Sequence, residues 1–245
     1  MDNATKSTID TAEGIRRLHE IATRLHRSIR WALQRRGAMD AGNRAIGELN
    51  VSHGMLAYNI LHSTLVRSLT IEVAAAFDWS EKRSITAQQK ASIPSLVHHL
   101  RLPGVADRLL ELSRQWSGLP VDQNEKDCRD ALQRIEQRHS DCWTDPNFQD
   151  LLKRLREVRD YRLAHNLFDK DPGEMTYAQL FTLLDIAKSF AADGLLAVTG
   201  HGQDYAGVER EAARSANDLW GRALADGRLS DNQTVILPRH VDDER

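Results

Sequence analysis

The chain has 245 residues, with 33 lysines and arginines against 35 aspartates and glutamates, so its formal net charge is −2. This balance excludes a globally basic nucleic-acid coat protein but leaves room for a local basic cleft. Charged residues make up 28% and hydrophobic residues 41% of the sequence, which is typical of a folded globular protein. Glycine, proline and aromatic residues are few, so we expect a helix-rich fold and exclude an all-β fold.

The sequence carries no signal for export, membrane insertion or a disulfide framework. Its first ten residues lack an apolar signal core, and no apolar run reaches the roughly 18 residues of a transmembrane helix. Two cysteines, Cys128 and Cys142, are too few for a disulfide scaffold or for a zinc site without several histidines. We therefore expect a cytoplasmic protein with two reduced thiols, no metal or other cofactor, and no membrane association.

Apolar residues recur at helical spacing along nearly the whole chain. Helices are predicted over residues 10–37, 43–79, 93–100, 105–116, 121–139, 147–166, 175–198 and 205–225. Gly37 is the expected stop of the first helix, and the second is the most apolar and is expected to be the central core helix. The pattern predicts an all-α fold, a single-domain helical bundle of roughly six to eight helices.

This helical domain is predicted to span residues 1–227, with its core at about 10–225. A charged C-terminal tail at 228–245 is expected to be partly flexible, and residues 234–237 within it resemble a short strand. His98 and His99 lie on the short third helix. We expect them to be ordinary surface histidines, one of them facing solvent, with a phosphate contact as the alternative.

The helix predicted over 147–166 changes character along its length. Its first part carries an apolar stripe of Phe148, Leu151, Leu155 and Val158. The same face continues with Arg162 and His165, and burying unpaired charge is costly, so this end indicates a cleft, an interface or a partner with counter-charge. The alternative is that Arg159 and Arg162 pair with acids such as Asp160, while His165 caps the helix end, where the helix dipole favours it.

The segment 159–165, Arg-Asp-Tyr-Arg-Leu-Ala-His, resembles the signature of the HEPN superfamily. In that signature an arginine followed by a polar residue precedes a histidine, with four to six residues between them; here five intervene, and Asp160 is the polar residue. Three more segments resemble the abortive-infection U-type (AbiU-like) branch: Ala-Phe-Asp-Trp at 76–79, Ser-Ile-Pro-Ser-Leu at 92–96 and Leu-Ala-His-Asn at 163–166. The resemblance covers about residues 10–225.

This resemblance implies a helical bundle that pairs two-fold, so that the motifs of two protomers meet in one cleft. Many members of the superfamily are metal-independent endoribonucleases that act as toxins or antiviral effectors. Carried over, Arg159 and His165 would be the catalytic pair, and Asp160 would orient one of them. The substrate-binding residues would be Arg156, Arg162 and Asn166. The expected partners are RNA, a second copy of the chain and an antitoxin or other neighbouring-gene protein.

The implied chemistry is physically consistent with these residue types. When the RNA 2′-hydroxyl attacks the adjacent phosphate, a histidine can take its proton or supply one to the leaving oxygen, because imidazole titrates near neutrality. An arginine binds phosphate with a planar fork and stabilises the developing negative charge. On an ideal α-helix Arg159 and His165 lie about 120° apart, so they share a site only if the helix loosens or the arginine wraps round.

Two other functions stay open. One is a non-catalytic HEPN-like module that binds a nucleotide or a partner protein, which the near-neutral charge and the bulky pair Tyr161-Arg162 favour. The other is an unrelated helical scaffold in which residues 159–165 form an ion-paired surface. The non-catalytic module would show no nuclease activity but would associate with a partner. In the unrelated scaffold, replacing Arg159 or His165 by alanine would have no effect in any assay.

Overall fold

Eight α-helices make up the described part of the molecule. The computed structural model describes residues 10–49, 54–79, 90–160 and 175–225. The helices are α1 (Thr11–Leu49), α2 (Gly54–Ala76), α3 (Ile93–Leu100), α4 (Val105–Ser113), α5 (Val121–Thr144), α6 (Pro146–Glu157), α7 (Tyr177–Thr199) and α8 (Tyr205–Ala225). No strand occurs within these ranges, so the predicted all-α class is confirmed. The strand expected at 234–237 and the tail at 228–245 lie outside the described residues.

Helix α1 is the spine of the bundle. It packs against α2, α3, α4, α7 and α8. Its inward face is apolar and completely buried at Leu18, Ala22, Leu25, Ile29, Ala32 and Leu33. Steps of three and four residues place these side chains on one stripe, as the sequence spacing predicts for an amphipathic helix.

The prediction that Gly37 ends the first helix is wrong. Helix α1 runs on to Leu49, and α8 lies so close to it that a Cβ atom at Gly37 would overlap the backbone carbonyl oxygen of Glu209. This glycine allows two backbones to approach each other and does not stop the helix. Residues 43–49, predicted to open the second helix, therefore belong to α1.

A buried guanidinium group joins α1 to α7 and α8. Arg36 is 8% exposed, and its Nε donates to Oε1 of Glu209 at 2.6 Å while Nη1 donates to Oδ1 of Asp185 at 3.0 Å. Its Cζ also lies 5.6 Å from the centroid of the Phe181 ring. Because a buried charge is tolerated only when it is paired, these contacts set the register of the three helices.

The prediction that the most apolar helix would be the central one is also wrong. Helix α2 buries Leu69 and Val73, but it leaves a second apolar face, Leu56, Ile60, Leu61 and Ile71, 46–70% exposed. The enclosed helix is α7, which packs against every helix from α1 to α6. Exposed apolar groups on one face of a helix are the kind of surface that partners cover.

The remaining helix boundaries follow local signals. Helix α4 ends at Ser113, before the predicted Trp116, and α5 extends past the predicted residue 139 to Thr144. A capping box starts α7: the Thr176 hydroxyl accepts from the Gln179 amide at 3.2 Å, and the Gln179 side chain accepts from the Thr176 amide at 3.0 Å. No helix in the described ranges is long and apolar enough to cross a membrane.

Replacing Gly37 by alanine is expected to lower the free energy of unfolding by about 1–3 kcal/mol, because the new Cβ forces α1 and α8 apart. Helix propensity alone would favour alanine by about 1 kcal/mol, so the sign of the change is informative. The matched control is Gly221→Ala in α8, where the Cβ meets open space and a gain of about 0.5 kcal/mol is expected. Chemical denaturation measures both, and a stabilising effect of Gly37→Ala would contradict the close approach.

Candidate active site

Helix α6 is anchored at its start beside the end of α2. The Asp145 side chain caps the helix by accepting from the Asn147 amide at 2.9 Å, and Pro146 occupies the first turn. The Phe148 ring packs edge-on against the Phe77 ring, with 5.7 Å between their centroids. This contact places the first turn of α6 next to the C-terminal end of α2.

The helix loosens where the signature begins. Regular α-helical geometry ends at Glu157, and residues 158–160 continue as a π-helical turn. The separation of about 120° expected between Arg159 and His165 assumes an ideal α-helix, so it does not apply to a chain that leaves that geometry at its first residue. Single π turns inside helices occur frequently at functional sites.

Arg159 is held by two carboxylates. Its Nε donates to Oδ1 of Asp160 at 2.7 Å, and its Nη1 lies 3.5 Å from Oδ1 of Asp78, just beyond α2. The hydrogen bond to Asp160 is the main cause of a raised pKa of Arg159, so the guanidinium group stays charged. The structure thus brings Arg159 and Asp160 together, whereas Arg162, His165 and Asn166 lie outside the described residues and their roles stay predictions.

The carboxylate of Asp78 is shared with a second cation. Lys90 Nζ donates to Oδ2 of Asp78 at 2.6 Å, on the other side of the carboxylate from Arg159. We refer to Arg159, Asp160, Asp78 and Lys90 as the Asp78 cluster. Sequence spacing does not indicate this cluster, because Asp78 meets Arg159 only through the packing of α6 against α2 and Lys90 joins it through Asp78.

Two further side chains next to the Asp78 cluster are available to a ligand. Arg156, predicted to bind substrate, is half-buried and makes no ion pair with any residue that the structure describes. Trp79 follows Asp78 directly and is 42% exposed. An unpaired arginine offers donors to a phosphate, and an exposed indole offers a face on which a base can stack.

Lys90 also lines a cavity of about 300 Å³ between α1 and α3, which we call the α1–α3 cavity. Its described lining consists of Arg16, Arg17, Glu20, Ile21, Arg24, Lys90, Ala91 and His99. Four of these side chains are cationic and one is anionic. The described lining of the cavity is therefore net positive, whereas the Asp78 cluster matches two cations with two carboxylates.

The expectation that His98 and His99 are surface histidines is wrong for His99. Its side chain is 1% exposed. His99 follows the buried Leu96 by three residues, and this spacing places both on the buried face of α3. His99 Nδ1 donates to the Ser95 carbonyl oxygen at 2.8 Å, whereas Nε2 has no hydrogen-bond partner. Burial lowers the pKa of His99, so the ring is neutral near pH 7 and Nε2 presents an acceptor lone pair.

The two cysteines do not resemble nucleophiles. Both are free, and burial raises the pKa of the Cys128 thiol to about 11, so it stays protonated at neutral pH. Within the described ranges, no group of three or more histidine, cysteine, aspartate or glutamate side chains is arranged to hold a metal ion. The chemistry of the described site therefore centres on arginine, lysine and carboxylate groups.

Comparison with known proteins identifies one family. The HEPN family model described as AbiU2 matches residues 12–219, which include the whole of the described Asp78 cluster and the segment with His165. No curated protein and no solved structure matches the chain.

Replacing Asp78 by asparagine is expected to strengthen binding to a polyanion, because it removes the carboxylate that neutralises Lys90 and Arg159. The variant should elute from heparin at a higher salt concentration than the wild type. Asp218→Asn makes the same change of charge at an exposed position on α8 that has no ion pair within the described chain, and it should move the elution less. Equal shifts for both variants would mean that only net charge matters.

Proposed function

Because the chain belongs to the AbiU2 family of HEPN proteins, we propose that it is a metal-independent endoribonuclease of the toxin or antiviral-defence type. The observation that carries this proposal is the placement of Arg159, the first residue of the signature, at the loosened end of α6, where its Nη1 makes only a long contact of 3.5 Å with Asp78. The proposed substrate is single-stranded or looped RNA, whose backbone can reach the in-line geometry that cleavage requires.

In the proposed reaction, the 2′-hydroxyl oxygen attacks the adjacent phosphorus and the bond to the 5′-oxygen breaks. The products are a 2′,3′-cyclic phosphate and a 5′-hydroxyl end. One imidazole takes the proton of the 2′-hydroxyl and a second gives a proton to the leaving 5′-oxygen, and His165 of each protomer supplies one of them. Arg159 stabilises the additional negative charge on the phosphate oxygens.

The contacts of Arg159 leave room for this role. Its Nε is occupied by Asp160 in a hydrogen bond of 2.7 Å, which orients the guanidinium plane. Its Nη1 is 3.5 Å from Asp78, longer than the usual 2.9 Å of a hydrogen bond, so a phosphate oxygen can replace that carboxylate. We assign Arg156, together with Arg162 and Asn166, to the phosphates and sugars that flank the cleaved bond.

The exposed apolar face of α2 supports a homodimer as the working form. Leu56 is 70% exposed and Ile60 is 58% exposed, and both lie on the helix that ends next to Asp78. Burying such groups against a second copy gains free energy in proportion to the apolar area removed from water. We further propose that the enzyme works in the cytoplasm without a cofactor and that an antitoxin or neighbouring-gene protein restrains it.

The second candidate is a non-catalytic module that binds a nucleotide or a partner protein. The observation that favours it is the pairing of Arg159 with two carboxylates, since Asp160 and Asp78 already neutralise its charge. In that case the Asp78 cluster would be a structural ion-pair network and Arg159 would not meet a phosphate.

A cleavage assay in the presence of a chelator decides between these candidates. Wild-type protein is expected to cleave end-labelled total or transfer RNA and to leave 2′,3′-cyclic phosphate ends. His165→Ala and Arg159→Ala should each lower the rate by at least about 100-fold, because they remove proton transfer and charge stabilisation.

The matched controls are His201→Ala and Arg154→Ala, which truncate an exposed histidine and an exposed arginine, the latter also on α6. They should cleave like the wild type. Retained cleavage by folded His165→Ala would refute the assignment of the site. A folded wild type that cleaves none of the RNAs would support the binding module instead.

Replacing Ile60 by glutamate is expected to dissociate the homodimer, because a carboxylate would be buried without a partner in the interface. Sedimentation equilibrium should give about twice the 27.7 kDa chain mass for the wild type and the monomer mass for the variant. Leu119→Glu, at another exposed apolar position, should remain dimeric. A monomeric wild type, or a dimer that tolerates both substitutions, would contradict a dimer formed through α2.

A further inference from the structure

We propose that the α1–α3 cavity is a subsite for one ribonucleotide unit, with Arg24 and Lys90 on its phosphate and Nε2 of His99 on a ribose hydroxyl. None of the described lining residues of the cavity belongs to the signature segment, and they come from α1, α3 and the residues just before α3. This inference depends on the proposed function in one respect: it takes the bound ribonucleotide to be part of an RNA strand.

The charge around the cavity favours an anionic ligand. The described lining carries four cations and one carboxylate, Glu20, in a chain whose net charge is −2. Glu13, just outside the lining, pairs with Arg16 and Arg17 and offsets part of that charge. Arg16 is already paired with Glu13 and Glu20, and Lys90 with Asp78, whereas exposed Arg24 makes no ion pair within the described chain. Arg24 therefore has its donors free, and a bidentate contact from arginine is well suited to a phosphate.

His99 adds a requirement that a simple anion does not meet. Its Nδ1 is committed to the Ser95 carbonyl oxygen, so the hydrogen resides there and Nε2 can only accept. A buried acceptor without a partner costs free energy, and this one belongs to a side chain that lines the cavity. Because Nε2 is itself buried, a ligand hydroxyl reaches it only after a small shift of the ring toward the cavity. A ligand that satisfies both the cations and His99 carries negative charge and a hydroxyl donor together, as a ribose phosphate does.

The size and position of the cavity fit the same ligand. Its volume of about 300 Å³ is at the lower end of small-molecule sites, which suits one nucleotide unit. Lys90 contributes to this cavity and, through Asp78, is joined to Arg159. A strand with one unit in the cavity would pass by Lys90 and continue toward the Asp78 cluster, so the subsite would hold RNA beside the proposed cleavage site.

Mononucleotides test the subsite without any cleavage. Wild-type protein would be titrated by calorimetry with ribonucleoside 5′-monophosphates, their 2′,3′-dideoxy counterparts and inorganic phosphate. The ribonucleotides should bind about tenfold more tightly than the dideoxy compounds, as expected for one hydrogen bond to a buried acceptor. Arg24→Glu should weaken the binding of both nucleotides by at least about tenfold, since it places a carboxylate against the phosphate.

The matched control is Arg214→Glu, which makes the same change of charge at an exposed arginine of α8 that has no ion pair within the described ranges. It should bind like the wild type. His99→Phe keeps a ring in the cavity but removes the acceptor, so the preference for ribonucleotides should vanish while phosphate binding persists. If that variant does not fold, the two arginine variants and the ribonucleotide preference of the wild type decide the question.

Three results would overturn the subsite: no binding to folded wild-type protein, equal affinities of Arg24→Glu and Arg214→Glu, or equal binding of ribonucleotides and dideoxynucleotides. The cleavage assay is independent of this titration. Nucleotide binding without cleavage would contradict only the proposed nuclease, and cleavage without nucleotide binding would contradict only the subsite.

Discussion

The buried guanidinium group of Arg36 is the interaction on which the arrangement of the bundle depends. It reaches from α1 to a carboxylate on α7 and to another on α8, and within the described chain its hydrogen bonds go to Asp185 and Glu209. Because a buried cation without its partners is costly, sliding α1 past either helix by one turn is unfavourable. The close backbone approach at Gly37 is the steric counterpart of this electrostatic constraint.

This constraint has a consequence at the other end of α1. Because α1 is a single helix from Thr11 to Leu49, fixing its register near Arg36 also fixes where the earlier arginines lie. Arg16, Arg17 and Arg24 are thereby held against α3 and Lys90, where they line the α1–α3 cavity. Glu13 and Glu20 offset part of this charge, since Glu13 pairs with Arg16 and Arg17 and Glu20 pairs with Arg16.

Helix positions were predictable because apolar spacing reports the buried stripe directly. The predictions for Gly37 and for α2 are wrong because the same residue type is compatible with two structural roles. Glycine is typical of a helix end and of a close backbone approach, so Gly37 could not be assigned without knowing that α8 packs against it. Likewise, the apolar residues of α2 predict burial, but sequence does not say whether the covering surface comes from the same chain.

The site was predictable only where its residues are neighbours in sequence. Arg159 and Asp160 are adjacent, and their hydrogen bond is local. Asp78 meets Arg159 through tertiary packing, and Lys90 joins them through Asp78. Asp78 lies in the segment 76–79 that carries the family resemblance, but no spacing rule connects it to Arg159 or selects Lys90. His99 is a similar case, since its burial follows from how α3 lies on the core, although its spacing from Leu96 was a readable signal.

A chain with a net charge of −2 cannot attract RNA by its overall field, so any attraction has to be local. Salt screens charges beyond about 8 Å at physiological ionic strength, which makes the immediate partners of each cation decisive. Asp78 has a particular position in this respect, because it lies between Lys90 and Arg159 and lowers the local charge at both. If a phosphate displaced the Asp78 carboxylate from Arg159, that carboxylate would pair with Lys90 alone. Phosphate binding at Arg159 would then alter the charge at Lys90, and so at the α1–α3 cavity, through the Asp78 carboxylate that the two cations share.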